Sequence, residues 1–200
     1  MRSSLALPIA GFTVVAALLF PNLAVAATFE RMDLDRLTFG AEQIFAGTAA
    51  SASSRFAGRQ IVTDFTFVDV EVIKGELSEP SPKVRMLGGT MGDMSLAIPG
   101  APTFQLGRRY LVFINGNGTV MFPTLGGSQG IFELRQDVPG GAMTMHDYAG
   151  RAITPPPIAA SESASQEKAT SWGPEASVSP KAVTKEAFVG EIRKRLGQHQ

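Results

Sequence analysis

The segment QIVTDFTFVDVEVIK, residues 60–74, decides the fold class, because its apolar residues alternate as in a β-strand and then change phase. The odd-numbered positions from Ile61 to Phe67 would share one face, whereas the even-numbered positions from Val68 to Val72 would share the other. A single change of phase predicts one β-bulge near Phe67–Val68. Such a bulge would let one long strand bend and contribute to both halves of a small barrel.

Shorter strand patterns accompany this segment and are separated by glycine, proline and asparagine, which predicts a mainly β fold, a small barrel or sandwich. The predicted strands are Ile44–Ala50, Lys83–Leu87, Tyr110–Ile114, Thr119–Phe122 and Ile131–Arg135. Tyr110–Ile114 is apolar at every position, which is typical of a central strand covered on both faces. Asn115–Gly118 has the composition of a hairpin turn and would lead into the predicted strand Thr119–Phe122.

Two helices are predicted, one near each end of the chain. Asp33–Leu37 offers an aspartate N-cap and apolar residues three apart, and Gly40 can end this short helix. The second is a C-terminal amphipathic helix within residues 181–200, with Thr184 as its N-cap. Its apolar stripe could cap the barrel or could dock on a partner, and amphipathic helices usually pack within their own chain.

The chain begins as exported proteins do. Met1–Arg2 is followed by a largely apolar run, and Ala24–Ala26 satisfies the small-residue pattern that signal peptidase requires. We therefore predict a signal peptide over residues 1–26, no stable membrane anchor after its cleavage, and a periplasmic or secreted location. The β domain would cover residues 27–150, and a disordered linker rich in Pro, Ser and Ala would cover residues 151–180.

Composition excludes several classes of protein and site. The chain has no cysteine, so it can carry neither a disulfide framework nor a lipoprotein anchor. Its formal net charge is zero, and the one basic cluster, Arg193–Arg195, is confined to the C-terminal segment, which argues against a nucleic-acid partner. The two histidines, His146 and His199, have no companion ligands, so no metal or cofactor is expected.

Several stretches of this chain resemble a group of uncharacterised bacterial exported proteins. The resemblance covers roughly residues 29–134 and, more loosely, the final helix. It is carried by Ile44–Thr48, Thr63–Gly75, Gly88–Gly89, Phe104–Phe113 and Gly126–Gly130, and the chain departs from it at Arg109, where an acidic residue is common. It implies an OB-like closed or partly open β-barrel similar to the netrin-like module of tissue inhibitors of metalloproteinases. It also implies a secreted matrixin-like protease as a possible partner. The animal inhibitors chelate the protease zinc through an N-terminal cysteine, so their mechanism does not transfer to a chain without cysteine.

The candidate binding residues lie in two glycine-rich segments. The long loop Gly88–Gly107 is of a length usually associated with function or mobility, and it carries methionines among polar residues. The second segment is the turn Gly126–Gly130. The candidates are Gly88, Gly89, Met91, Met94, Gly127, Ser128 and Gln129.

The same turn matches the G-x-S-x-G nucleophile elbow of hydrolases, with Ser128 as nucleophile and His146 as the nearby base. An elbow must be followed by a helix, but Ile131–Leu134 has the pattern of a strand. We therefore predict a non-enzymatic exported binding module. The alternatives are a small serine hydrolase, and a structural envelope protein that docks through its C-terminal helix.

Overall fold

The structure is a computed structural model of the chain that describes residues 30–137, 139–154 and 182–198. The predicted signal peptide, most of the predicted linker and His199 lie outside these residues. The elements are α1 (Leu34–Gly40), β1 (Gln43–Ala57), β2 (Gln60–Lys74), β3 (Lys83–Leu87), β4 (Gly89–Met91), β5 (Met94–Leu96), β6 (Arg109–Ile114), the 3-10 helix η1 (Gly127–Gly130), β7 (Ile131–Arg135), β8 (Thr144–His146) and α2 (Lys185–Gly197).

The main sheet contains six antiparallel strands in the order β3-β2-β1-β6-β7-β8. The prediction of a mainly β fold with a short N-terminal helix and a C-terminal helix is confirmed, and the sheet is not closed. Strand β6 lies between β1 and β7, which confirms its predicted central position.

The hairpin formed by β1 and β2 bends through three register shifts rather than the single one predicted. The shift that matches the sequence pattern lies between the pairs Ala46–Glu71 and Thr48–Val68, where β2 contains one residue more than β1. Asp69 adopts a φ of 51° at this point, a left-handed conformation that aspartate tolerates better than most residues. The other two shifts leave no clear trace in the alternation of apolar residues.

Both faces of the sheet are buried, each against a different part of the chain. On one face Leu111 and Phe113 pack with the buried residues of α1 and α2. On the other face Tyr110, Val112 and Ile114 pack with the aromatic side chains of the bent β1–β2 hairpin. The uninterrupted apolar sequence of β6 follows from this double burial.

Helix α1 is capped at both ends by side chains. The Asp33 carboxylate accepts a hydrogen bond from the backbone N–H of Arg36 at 2.8 Å, as its N-cap position predicted. At the other end the ammonium group of Lys74 donates to the carbonyls of Thr38 (2.8 Å), Phe39 (3.2 Å) and Ala41 (2.5 Å). Partial burial of this ammonium lowers the pKa of Lys74. The end of β2 thereby fixes α1 to the sheet.

Helix α2 packs within its own chain. Phe188, Val189 and Ile192 are buried in the cluster that includes α1 and the sheet. The Thr184 side chain accepts from the N–H of Ala187, so the predicted N-cap is present. Of the two predicted uses of the apolar stripe, the described helix shows the intramolecular one.

Two predictions about loops are wrong. Thr119–Phe122 forms no strand, because the N–H groups of Thr119 and Val120 both turn back to the carbonyl of Gly116. The long loop after β3 is also not free of regular structure, since it contains the two-stranded sheet of β4 and β5.

The two outermost strands of the main sheet are covered by other segments of the chain. Along β3, the amide of Asn117 accepts from the N–H of Arg85 at 3.0 Å and donates to the carbonyl of Lys83 at 2.6 Å. Along β8, Met145 donates its N–H to Val183 and accepts from Ile153. Both outer edges therefore have partners for their backbone groups.

Candidate functional site

The first candidate segment forms a projecting hairpin made of β4 and β5. Gly88 and Gly89, which precede and begin it, have φ values of 107° and 137°, and few other residues adopt such values. A Cβ on Gly89 would lie 2.6 Å from the hydroxyl oxygen of Ser54 and would also collide with Thr63. Glycine is therefore required here so that the hairpin can pack closely against β1 and β2.

A cavity of about 170 Å³ lies beneath this hairpin. It is lined by Thr63, Phe65, Met86, Leu87, Gly88, Gly89, Leu96, Ile98, Ala101, Pro102 and Thr103. The hydroxyl of Thr63 donates to the carbonyl of Gly88 at 2.7 Å, so its hydrogen is already used and the lining is predominantly apolar. Ligand pockets for whole small molecules are roughly 300–1,000 Å³, and this cavity has room for about one apolar side chain. We call it the hairpin cavity.

The two candidate methionines face each other at the end of the hairpin. Met91 pairs with Met94 across β4 and β5, and the side chain of Met94 is 56% exposed whereas Met91 is half-buried. Met94 is therefore displayed on a short sheet rather than on an irregular loop, whereas Met91 is only partly exposed.

The second candidate segment has a structural role for two of its three residues. Gly127 is buried and has a φ of 65°. The Gln129 amide accepts from the N–H of Met32 at 2.8 Å and donates to the carbonyl of Glu30 at 2.9 Å, which attaches the chain before α1 to this turn. Only Ser128, which is half-buried, has no described hydrogen bond through its side chain.

The turn lacks the structural context of a nucleophile elbow. Ser128 lies in the 3-10 helix η1, which leads directly into strand β7. His146, the predicted nearby base, is 8% exposed on β8, where its ring nitrogens contact the hydroxyl of Thr144 at 3.0 Å and the carbonyl of Gly150 at 3.3 Å. Neither of these contacts involves Ser128.

A second apolar depression lies next to η1. Its volume is about 380 Å³, and it is lined by Asn115, Val120, Met121, Phe122, Pro123, Thr124, Leu125, Gly126 and Gly127. Met121 is 59% exposed at its rim. No residue lines both this depression and the hairpin cavity. Gly88 and Gly89 thus line the hairpin cavity, whereas Gly127 lines the depression beside η1.

Sequence reasoning missed a cluster of polar residues on β6, β7 and the segments beside them. The Glu133 carboxylate accepts hydrogen bonds from Arg108 at 2.5 Å and from Arg135 at 2.7 Å. The hydrogen bond from Arg135, followed by that from Arg108, lowers the pKa of Glu133 although partial burial opposes the shift. Tyr110 lies directly opposite Glu133 in the register of β6 and β7, and its burial raises the pKa of its phenol.

This cluster borders a cavity of about 180 Å³ lined by Thr103, Gln105, Tyr110, Glu133 and Tyr148. Both phenol oxygens accept backbone hydrogen bonds, Tyr110 from Gln105 at 3.0 Å and Tyr148 from Thr103 at 2.9 Å. The phenols thus anchor the segment before β6, and the carboxylate is neutralised by two guanidinium groups. The carboxylate and both phenol oxygens therefore have hydrogen-bond partners, whereas the Nε of Arg135 is buried without one. The sequence signal for this cluster is weak: charged residues precede Tyr110 at the start of β6, and Glu133 and Arg135 lie two apart on β7 and so share one face.

Neither a metal centre nor a membrane-spanning element is found in the described part of the chain. No group of three or more His, Asp or Glu side chains there could hold a metal ion. Neither described helix has the length and apolar character needed to cross a bilayer.

Comparisons with protein-family models, with curated proteins and with solved structures give no match to this chain.

Proposed function

We propose that this protein is an exported, non-enzymatic binding module that engages another protein through the β4–β5 hairpin and the hairpin cavity. The observation that carries the proposal is the exposed Met94 at the end of a hairpin that also covers an apolar cavity. The proposed export follows from the signal-peptide pattern of residues 1–26.

The proposed contact has two parts. Methionine has three rotatable bonds and a polarisable sulfur, so it adapts to a partner surface of varied shape. The hairpin cavity would accept one apolar side chain of the partner, and its volume of about 170 Å³ suits that role. An anchor side chain buried in a pocket and surrounded by weaker contacts is the usual arrangement of binding energy in a protein interface.

The partner we propose to test first is a secreted matrixin-like metalloprotease. Its support is the resemblance of the sequence to the group of exported proteins described above. The chain has no cysteine that could chelate the protease zinc through a thiolate, so the proposed contact relies on apolar packing by the hairpin.

The test compares two matched substitutions, Met94→Asp and Met121→Asp. Both methionines are more than half exposed, but Met94 lies on the hairpin and Met121 lies at the depression beside η1. The chain would be immobilised, partners would be captured from culture supernatant, and affinity for a purified matrixin-like protease would be measured by biolayer interferometry.

We expect Met94→Asp to weaken binding by about 30-fold, the equivalent of a 2 kcal/mol hot spot, and Met121→Asp to leave it unchanged. If Met121→Asp abolishes binding and Met94→Asp does not, the binding site is the depression beside η1 and not the hairpin. Capture of no partner above background by the unsubstituted chain would argue against a binding module.

A further inference from the structure

The outer half of β1 leaves a strand edge of the main sheet without a partner in the described chain, as do residues 68–74 of β2 on the side away from β1. The ladder between β1 and β6 ends at the pair Thr48–Arg109, and Ala49 makes the last contacts on that side, with Arg108 and Gly107. From Ser51 onwards β1 pairs only with β2. None of the described loop backbone hydrogen bonds reaches residues 51–57.

The hydrogen bonds of β2 reveal which groups of β1 face outwards. The carbonyl of Ile61 accepts from Gly88, and the N–H of Phe67 donates to Pro82, so both residues direct their backbone groups away from β1. In an antiparallel ladder, residues directly opposite each other either exchange both hydrogen bonds or both point away. Every second residue from Ile61 to Phe67 therefore points away from β1.

The first three of these β2 residues, from Ile61 to Phe65, have the partners Phe56, Ser54 and Ala52 on β1. Their N–H and C=O groups consequently point outwards along the unpaired edge, and we call residues 51–57 the free edge. Residues 51–53, 55 and 56 are exposed.

The free edge has few of the features that usually prevent one strand from pairing with another. Residues 51–54 are Ser, Ala, Ser and Ser, with no proline and no lysine, and the register shifts of β1 end before Ala52. The charged side chain of the free edge, Arg55, is paired with Asp64 on β2 at 3.0 Å. By contrast, the edges of β3 and β8 are covered by Asn117 and by the segments around Ile153 and Val183. The chain thus protects two edges and leaves this one open.

We propose that the free edge pairs antiparallel with the free edge of a second copy of this chain, about a two-fold axis at Ser54. In this register Ser54 opposes Ser54 of the second copy, and Ala52 opposes Phe56 on each side. All three outward-facing residues of each copy then take part, which gives about six backbone hydrogen bonds. Moving the axis by one residue in either direction leaves one outward-facing residue of each copy unpaired, which reduces the number to about four.

The side chains fit the same register. Phe56 is 46% exposed and would cover the small Ala52 of the second copy, as aromatic side chains do in cross-strand pairs. On the opposite face Arg55 would lie opposite Ser53, whereas an axis at Arg55 itself would place two arginines opposite each other. The formal net charge of zero also means that the two copies do not repel each other at long range.

The absence of cysteine permits a direct test by single-cysteine variants. In the proposed register the two Cα atoms at position 54 would be about 5.5 Å apart, within the range of about 4.4–6.8 Å that a disulfide spans. Position 53 is the matched control. In the proposed register residue 53 of one copy would lie two residues along the strand from residue 53 of the other, about 8 Å away, which is too far for a disulfide without movement. Both variants would be oxidised at increasing protein concentration and analysed on non-reducing gels.

We expect Ser54→Cys to form a covalent dimer at least 10-fold faster than Ser53→Cys. Sedimentation of the unsubstituted chain should show a reversible dimer. Ser54→Pro removes an outward-facing N–H and leaves the β2 ladder intact. It should therefore raise the dissociation constant of the dimer at least 10-fold. Equal oxidation rates for the two cysteine variants, or a monomer at every concentration, would overturn the proposal.

Discussion

Substitution of Ile192 by alanine tests whether α2 is an integral part of the folded domain. Its side chain is 0% exposed between the sheet and α1, and the substitution removes three carbon atoms beyond Cβ. Loss of their burial corresponds to roughly 2.4 kcal/mol at about 0.8 kcal/mol per carbon. The cavity left behind adds to this loss, so we expect a decrease of about 3 kcal/mol in the free energy of unfolding, within the 2–5 kcal/mol observed for such substitutions.

The assay is urea unfolding followed by circular dichroism, with Lys194→Ala as the control on the exposed side of the same helix. The control should change the free energy of unfolding by less than about 0.5 kcal/mol. Ile192→Ala should lower the midpoint while the dependence on urea stays constant. If both variants unfold at the same urea concentration, α2 does not stabilise the domain and our description of its packing is wrong.

Three further predictions concern other contacts. Gly89→Ala should lower the free energy of unfolding by about 1–3 kcal/mol through backbone strain alone, and the same urea assay measures it. The control is Gly92→Ala in the open turn of the hairpin, where the added Cβ meets no neighbouring atom, so the free energy of unfolding should fall by less. Lys74→Met removes the ammonium group from the carbonyls at the end of α1 and should cost about 1–3 kcal/mol, detectable as faster amide hydrogen exchange in α1. Because its arginine partners hold the pKa of Glu133 below the ordinary 4.5, this group stabilises the fold above that pH and loses its contribution as the pH falls through the lowered pKa. Glu133→Gln should therefore reduce the loss of stability below pH 4.5, and an unchanged acid profile would contradict the ion-pair assignment.

Most of the sheet could be predicted because its strands carry local signals. Alternation identified both ends of β2, and uninterrupted apolar sequence identified β6 as central. The N-caps of both helices were predicted from single residues, Asp33 and Thr184, since a capping side chain bonds within its own first turn.

The elements that sequence reasoning missed depend on contacts between distant segments. Strand β8 has only three residues, and His146 is buried there because β7 pairs with it from one side and the segment around Ala152 from the other. The cluster around Glu133 likewise forms only once β6 and β7 are paired. The candidate residue Gln129 was identified as a binding residue, but its amide is used to hold Glu30 and Met32 in place.

The attachment of α2 determines how freely the chain between the sheet and that helix can vary. The N–H of Val183 donates to the carbonyl of Ile153 at 2.7 Å, so the two ends of the intervening segment meet at a fixed point beside β8. Closing a longer segment between fixed ends costs only about 0.6 kcal/mol for each doubling of its length. A chain with more or fewer residues between Ile153 and Val183 can therefore make the same contact at nearly the same free energy. If the chain were cut once between these two residues, the contacts of α2 with α1 and the sheet would hold the two pieces together.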